Sequence, residues 1–350
     1  MLLFASLVAA ALACEGMLRL VGYTRRFLED VLPRSPRHPW IVYDPLVGRA
    51  DRPGFEHASF RIDSLGFRGP EIARRKPPGI HRIVCLGDST TFGMWRQGPW
   101  SNSYDVSYAD VLRDLLAVRR HARAEVVNAG VLGYTSANGV RQLLARVLPL
   151  APDVVTVRYG NNDHLLGHGA EERYLRDRPT LRVMRLLPTT LLDWQLVALG
   201  IHAYRERFTP ADEARRRRLT PTEFAQNLRQ IVDIARRAGA RVLLLDFPYR
   251  SITRRPPDER FPNAFTDARS LEELYDIHEA YQVVMREVAT ETGTPILETE
   301  AAVRAAPVPV FSDWDLSHPN RAGAELLGRL LLDRLDDLGW LPPTMPPAGT

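Results

Sequence analysis

Short, mostly apolar runs alternate along this chain with longer stretches whose apolar residues recur every three or four positions. Ile83–Leu86 is wholly apolar and β-branched at two positions, which suits a strand buried on both faces, as a parallel sheet requires. Val126–Gly130, Val154–Asp163 and Arg241–Phe247 repeat the pattern, and Pro295–Leu297 is a shorter fifth run. Between them, Tyr108–Val118 has a helical stripe of Ala109, Leu112, Leu115 and Leu116. Asn138–Leu148 places Val140, Leu143, Leu144 and Val147 on one face before Pro149 stops it. Thr222–Ala238, Leu271–Thr290 and Ala322–Leu338 are the later helices, the last carrying Leu326, Leu327, Leu330, Leu331 and Leu335. Strands alternating with helices predict an α/β domain around a parallel sheet.

The periodic region spans 81–340, and its flanks read differently. Tyr23–Gly79 is rich in Pro, Arg and Gly without a sustained period, so residues 23–80 are expected to be an irregular extension laid over the domain. Leu165–Thr220 interrupts the alternation as a long insertion, equally suited to shaping a pocket or to decorating the surface. Arg250–Arg269 is charged and loop-like, and residues 341–350, with four prolines, form a flexible tail.

Residues 1–22 open with a run, Met1–Cys14, that is almost entirely apolar. Thirteen apolar residues are short of the roughly 20 a membrane span needs. Ala11 and Ala13 fit a secretory signal cleaved before Cys14, and Ala11–Cys14 partly fits a lipoprotein site. An uncleaved anchor reaching about Val21 is the third reading. Arg19, Arg25 and Arg26 follow the run, and no basic residue precedes it, which by the positive-inside rule favours a cytoplasmic domain. Export with membrane anchoring, through a signal or transmembrane helix, is the expectation adopted; a cytoplasmic location stays open.

The composition is ordinary for a globular protein, 45% hydrophobic and 25% charged, with a formal charge of +4 over 350 residues. Lys76 is the sole lysine, and the arginines are scattered without the aromatic interleaving of a nucleic-acid surface, so no nucleic-acid partner is expected. Arg215–Arg218 reads as a solvated helix face. Cys14 and Cys85, the two cysteines, imply no disulfide framework.

Candidate chemistry gathers at the strand ends. Gly87-Asp88-Ser89 follows the first strand directly, and open α/β sheets place their ligands at that end. Gly-Asp-Ser is also a common turn. Gly130 ends the second strand, Gly160-Asn161-Asn162-Asp163 ends the third, and Asp315-Leu316-Ser317-His318-Pro319 lies near the C-terminus. A serine hydroxyl needs a base to take its proton. His318 is the candidate base, and Asp315, three residues before it in one turn, can reach its Nδ1 and leave Nε2 for Ser89. No segment reads G-x-S-x-G, against an α/β-hydrolase fold.

These four blocks, in this order over residues 80–340, resemble those of the SGNH hydrolase (GDSL-type esterase) superfamily. The resemblance implies a flavodoxin-like three-layer α/β sandwich with about five parallel strands. It also implies oxyanion donors at the backbone N–H of Ser89, the backbone N–H of Gly130 and the side-chain amide of Asn162. Asn161 takes the block's variable position, and Asp88 and Asp163 are expected to be turn residues. Ile62–Glu71 and the apolar N-terminus are similar to segments of membrane-anchored bacterial members. The implied activity is a serine esterase acting through an acyl-enzyme on an ester, such as O-acetyl, of a small molecule, glycan or lipid. An O-acyltransferase would use the same residues, and a catalytically inactive binding module is a non-enzymatic alternative. No metal or organic cofactor is indicated. A metallophosphoesterase would need several His and carboxylate ligands, and Gly160–His164 with Asp276-Ile277-His278 does not supply them.

Overall fold

The computed structural model describes residues 2–20, 39–44, 47–98, 101–119, 123–166, 217–250 and 266–344. The chain falls into two compact units, one of residues 1–52 with 167–216, the other of residues 53–166 with 217–350. Most of the insertion, part of the 250–269 loop and the end of the tail lie outside the described residues.

In the first unit, α1 (Leu2–Leu20) is followed by an antiparallel pair, β1 (Ile41–Asp44) and β2 (Gly48–Asp51). Among the described residues no helix is long and apolar enough to cross a membrane. Helix α1 has 19 residues, but Glu15 and Arg19, paired at 2.7 Å, occupy its last turns and shorten the apolar stretch. The expected transmembrane helix is therefore not met by α1.

The second unit is built on five parallel strands, β3 (His81–Gly87), β6 (Ala124–Gly130), β7 (Val154–Arg158), β8 (Arg241–Leu245) and β9 (Ile296–Leu297). They form one sheet in the order β6-β3-β7-β8-β9. Renumbered within the sheet, the order is 2-1-3-4-5, the flavodoxin-like arrangement. Between β3 and β6 come α2 (Ser89–Phe92), a small hairpin of β4 (Trp95–Gly98) and β5 (Ser101–Ser103), and α3 (Tyr108–Val118). Helix α4 (Ser136–Gln142) precedes β7, and α5 (Pro221–Arg237) precedes β8. The chain then adds α6 (Leu271–Thr292) before β9, followed by α7 (Glu300–Arg304) and α8 (Arg321–Asp337).

The two-residue period of the strands divides the core. Ile83, Cys85, Val126, Val154, Leu243 and Leu245 share one buried cluster with Leu112 and Leu116 of α3 and with Leu327, Leu331 and Leu335 of α8. On the other side α4 and α5 pack on the sheet, and α6 packs on α5. Helices sit on both faces because each central strand is apolar on both.

Helix boundaries follow local chemistry. Ser107 and Asp110 form a capping box at α3, and Thr220 and Glu223 form another at α5, whose first residue is Pro221. Ser270 caps α6, which ends at Gly293 with φ 58°. The helix expected over Asn138–Leu148 differs from the structure. After Gln142 it widens into a π-helical turn, Leu143–Val147, and then tightens into a 3₁₀ turn, Leu148–Leu150. Pro149 is the reason for the ending, since its ring nitrogen cannot donate and its bulk blocks another α-turn.

Candidate active site

Parallel pairing brings three strand ends to one edge of the sheet. Gly87 is in register with Gly130 of β6 and with Arg158 of β7, so the segments after each leave side by side. Position 87 must be glycine. A Cβ there would lie 2.0 Å from Thr91 Oγ1 and 2.8 Å from the Arg158 carbonyl oxygen. Asp88 then caps α2, its Oδ1 accepting from the Thr90 N–H at 2.8 Å and the Thr90 hydroxyl at 2.7 Å. Ser89 is the first residue of that single turn, and Gly93 closes it at φ 94° by donating to the Ser89 carbonyl.

Ser89 Oγ lies 2.7 Å from His318 Nε2, across 229 residues of sequence. His318 Nδ1 donates to Asp315 Oδ2 at 2.8 Å. The other carboxylate oxygen accepts the N–H groups of Ser317 at 3.0 Å and His318 at 3.2 Å, so the turn holds its own carboxylate in place. This puts the imidazole proton on Nδ1 and leaves Nε2 to receive the Ser89 proton. Burial disfavours charge on His318, but the Asp315 carboxylate beside it, and the hydrogen bond between them, hold its pKa above the ordinary histidine value. Burial likewise works against the Asp315 charge, yet His318 and the backbone donors bring its pKa below the ordinary carboxylate value.

The three expected oxyanion donors have different placements. The N–H of Ser89, at the start of a helix, has no intrahelical acceptor. Asn162 is half-buried, whereas Asn161 is buried. Asn162 Nδ2 donates to the Tyr134 carbonyl at 2.9 Å and, more weakly, to Asp88 Oδ2 at 3.3 Å. Gly130 needs correction as a donor. Its N–H is given to Asn128 Oδ1 at 2.9 Å, and the glycine is required for packing, since a Cβ would sit 2.2 Å from the Phe92 nitrogen. Three residues on, Gly133 lies in the turn after β6 with φ 76°. Its N–H donates to no group among the described residues.

Asn128 carries no motif that marks it in the sequence. Its Nδ2 donates to the Thr91 carbonyl at 2.8 Å and to Ser107 Oγ at 3.0 Å, tying β6 to α2 and α3. A carboxamide inside a strand buried on both faces is the available signal, because such a group must find partners. Asp88 and Asp163 act in turns as expected. Asp163 Oδ1 accepts the N–H and the hydroxyl of Ser136, fixing the loop after β7 to the start of α4.

The two segments weighed as metal blocks do meet, in a different role. His164 Nε2 donates to His278 Nδ1 at 3.1 Å, and His278 Nε2 donates to the Phe247 carbonyl at 2.7 Å. Burial pushes His164 down to about 3 and His278 well below the ordinary value, so both rings are neutral at physiological pH. Among the described residues no group of three or more His, Cys, Asp or Glu is placed to hold a metal ion.

No curated protein matches the chain in sequence. Among solved structures it is similar to a lipase/acylhydrolase from Enterococcus faecalis, at 21% identity and a TM-score of 0.48, covering 76% of this chain and 100% of that one. It is also similar to a catalytic mutant of an acetylxylan esterase from Geobacillus stearothermophilus, at 19% identity and a TM-score of 0.46, covering 77% of this chain and 99% of the other. Residues 85–326, which hold the end of β3 with Ser89 after it, the strand ends beside it and the Asp315–His318 turn, match the family described as GDSL-like Lipase/Acylhydrolase. The five-stranded parallel sheet flanked by helices is the SGNH hydrolase fold, and the chain belongs to the GDSL-like lipase/acylhydrolase family.

Proposed function

We propose that the protein is a serine ester hydrolase working through an acyl-enzyme on a small-molecule, glycan or lipid ester such as an O-acetyl group. The observation that carries this reading is the run of contacts from Ser89 Oγ to His318 Nε2 at 2.7 Å and from His318 Nδ1 to Asp315 at 2.8 Å. Ser89 Oγ bonds to the ester carbonyl carbon while its proton passes to His318 Nε2. The tetrahedral intermediate collapses by breaking the bond to the alkoxide, which leaves with the proton from His318. Water then attacks the acyl-Ser89 carbonyl, gives a proton to His318 and releases the acid, and that proton returns to Ser89.

The developing oxyanion is assigned to the backbone N–H of Ser89, the backbone N–H of Gly133 in place of Gly130, and the side-chain amide of Asn162. Support for Asn162 lies in its two unequal bonds. The Tyr134 carbonyl fixes the amide, and the 3.3 Å contact to Asp88 marks the N–H that is weakly engaged. Asn162→Ala is expected to lower kcat by about 10²–10³ with little change in KM. Asn161→Ala is expected to change kcat much less, and steady-state kinetics on one short-chain ester checks both. A reversed order would move the donor to Asn161.

Intact-protein mass spectrometry after incubation with short-chain acyl esters, with and without sugar acceptors, tests the function. An acetyl adduct on Ser89 that decays in water supports hydrolysis. Decay that yields acylated sugar at the expense of free acid shifts the reading to an O-acyltransferase, and no adduct with no turnover to an inactive module.

We also propose that the N-terminal segment associates the protein with a membrane on the extracytoplasmic side. The support is the mostly apolar surface of α1, where Val8, Leu12, Met17 and Leu20 are exposed. Full-length protein is expected in the membrane fraction, and protein beginning near Tyr23 in the soluble fraction. A mature soluble chain starting at Cys14 would refute this.

A further inference from the structure

The family match begins at residue 85, but one of the groups that hold the turn carrying Ser89 lies before that stretch. Helix α2 is one turn long, and a single turn has too few hydrogen bonds to set its own geometry. Its last carbonyls are buried and need donors. The Thr91 carbonyl takes Asn128 Nδ2 at 2.8 Å. The Phe92 carbonyl takes Arg68 Nη1 at 2.6 Å.

Arg68 is buried, and both terminal nitrogens of its guanidinium are engaged. Nη2 donates to the Tyr104 carbonyl at 2.8 Å and faces Asp110 Oδ2 at 3.3 Å. The cation lies 5.0 Å from the Phe92 ring centroid and 5.4 Å from that of Phe60. Its backbone N–H donates to the Asn128 carbonyl at 3.2 Å, so the two groups that hold the end of α2 are bonded to each other.

The preceding segment is shaped to present this residue. Asp63 Oδ1 accepts the N–H groups of Leu65 and Phe67 at 2.9 and 2.8 Å, and the Asp63 N–H closes on the Phe67 carbonyl at 2.8 Å. Gly66 and Gly69 take φ of 82° and 128°, on either side of Phe67-Arg68, conformations that side-chain-bearing residues avoid. The order Asp63-Ser64-Leu65-Gly66-Phe67-Arg68-Gly69 thus encodes a closed turn with an arginine on its inner side.

We propose that Arg68 is a positioning residue for the nucleophile, locking the carbonyl end of the Ser89–Phe92 turn so that Ser89 Oγ stays in line with His318. This rests on the reading of Ser89 as nucleophile. Lysine cannot replace it fully, because an ammonium lacks the planar fork that reaches the Phe92 and Tyr104 carbonyls and Asp110 together.

The test compares full-length Arg68→Met and Arg68→Lys with Arg82→Met. Arg82 is equally buried, donates to the Leu150 and Ala73 carbonyls, and sits about 20 Å from Ser89 at the far end of β3. Two quantities are read on folded protein: the rate at which an organophosphonate labels Ser89, and amide hydrogen exchange at Phe92, Gly93 and Met94. Arg68→Met is expected to label about 10–10²-fold more slowly and to lose protection at those three amides. Arg68→Lys should show a smaller loss of both, and it is the variant that carries the test if Arg68→Met does not fold. Arg82→Met should lower thermal stability while labelling at the wild-type rate.

Equal labelling rates in the Arg68 and Arg82 variants would overturn the proposal, as would lost protection in the Arg68 variants with unchanged labelling. A wild-type protein that the reagent does not label at all would overturn the assignment of Ser89 itself.

Discussion

Ser89→Ala and His318→Ala are each expected to lose about 10⁴–10⁶-fold in kcat for ester hydrolysis, and the double variant is expected to be hardly slower than either. In the proposed mechanism the two groups perform one proton transfer. With Oγ removed, His318 has no proton to take, and with the imidazole removed, a hydroxyl of ordinary acidity faces the ester unaided. Their 2.7 Å separation lets that transfer occur without rearrangement. An organophosphonate should label Ser89 in the wild type and fail to label His318→Ala at neutral pH. Measured kcat values that multiply across the single variants would show that Ser89 and His318 act independently. Substantial turnover by Ser89→Ala, abolished by a chelator, would replace the serine reading with a metal-dependent one.

Asp315→Asn is expected to cost up to about 10⁴-fold in kcat while leaving thermal stability closer to the wild type. Asparagine keeps the shape and can still accept from the backbone N–H groups of Ser317 and His318, but it no longer balances an imidazolium. The pH dependence separates this from a loss of packing. In the free enzyme His318 must be neutral to act as base, so kcat/KM rises with pH through the histidine pKa and falls as the pH drops below it. The neighbouring carboxylate raises that pKa against the opposing effect of burial, so the acidic limb of the wild type should lie above the ordinary histidine value. Without the carboxylate, burial dominates, and the limb should move to lower pH even as the plateau falls. A pH–rate profile of kcat/KM for both proteins reads this directly. An unmoved limb would mean that Asp315 does not set the protonation of His318.

Much of the site is legible in the amino-acid sequence, and the parts that are not share a physical cause. Ser89 is legible as a candidate because Gly87-Asp88-Ser89 follows an apolar run at a strand end and is the first of four blocks whose order resembles that of a known family. Asp315 and His318 are legible because three residues in one turn bring a carboxylate to an imidazole, as the 2.8 Å bond has it. Gly130 misleads because a glycine after a strand can serve two needs. It admits a substrate or it admits another part of the chain, and the neighbouring backbone of α2 fills the space here. His164 and His278 are far apart in sequence and carry no mark that they hydrogen-bond to each other.

Period and spacing along the chain set the α/β class, the strands of the sheet and the helices that cover it, and they mark Asp315 and His318 as a candidate carboxylate and base. Each of these is written in a period or spacing of a few residues, and covalent geometry converts such local patterns into structure. It takes the folded chain to show that Asn128 consumes the Gly130 N–H, that the Tyr134 carbonyl turns the Asn162 amide, and that Arg68 closes the end of the Ser89 turn. Each is a bond between a side chain and a backbone group, within one strand for Asn128 and to a distant segment for Asn162 and Arg68. Every residue other than proline carries the same backbone donor and acceptor, so the identity of the partner leaves no trace in the sequence until the chain has folded.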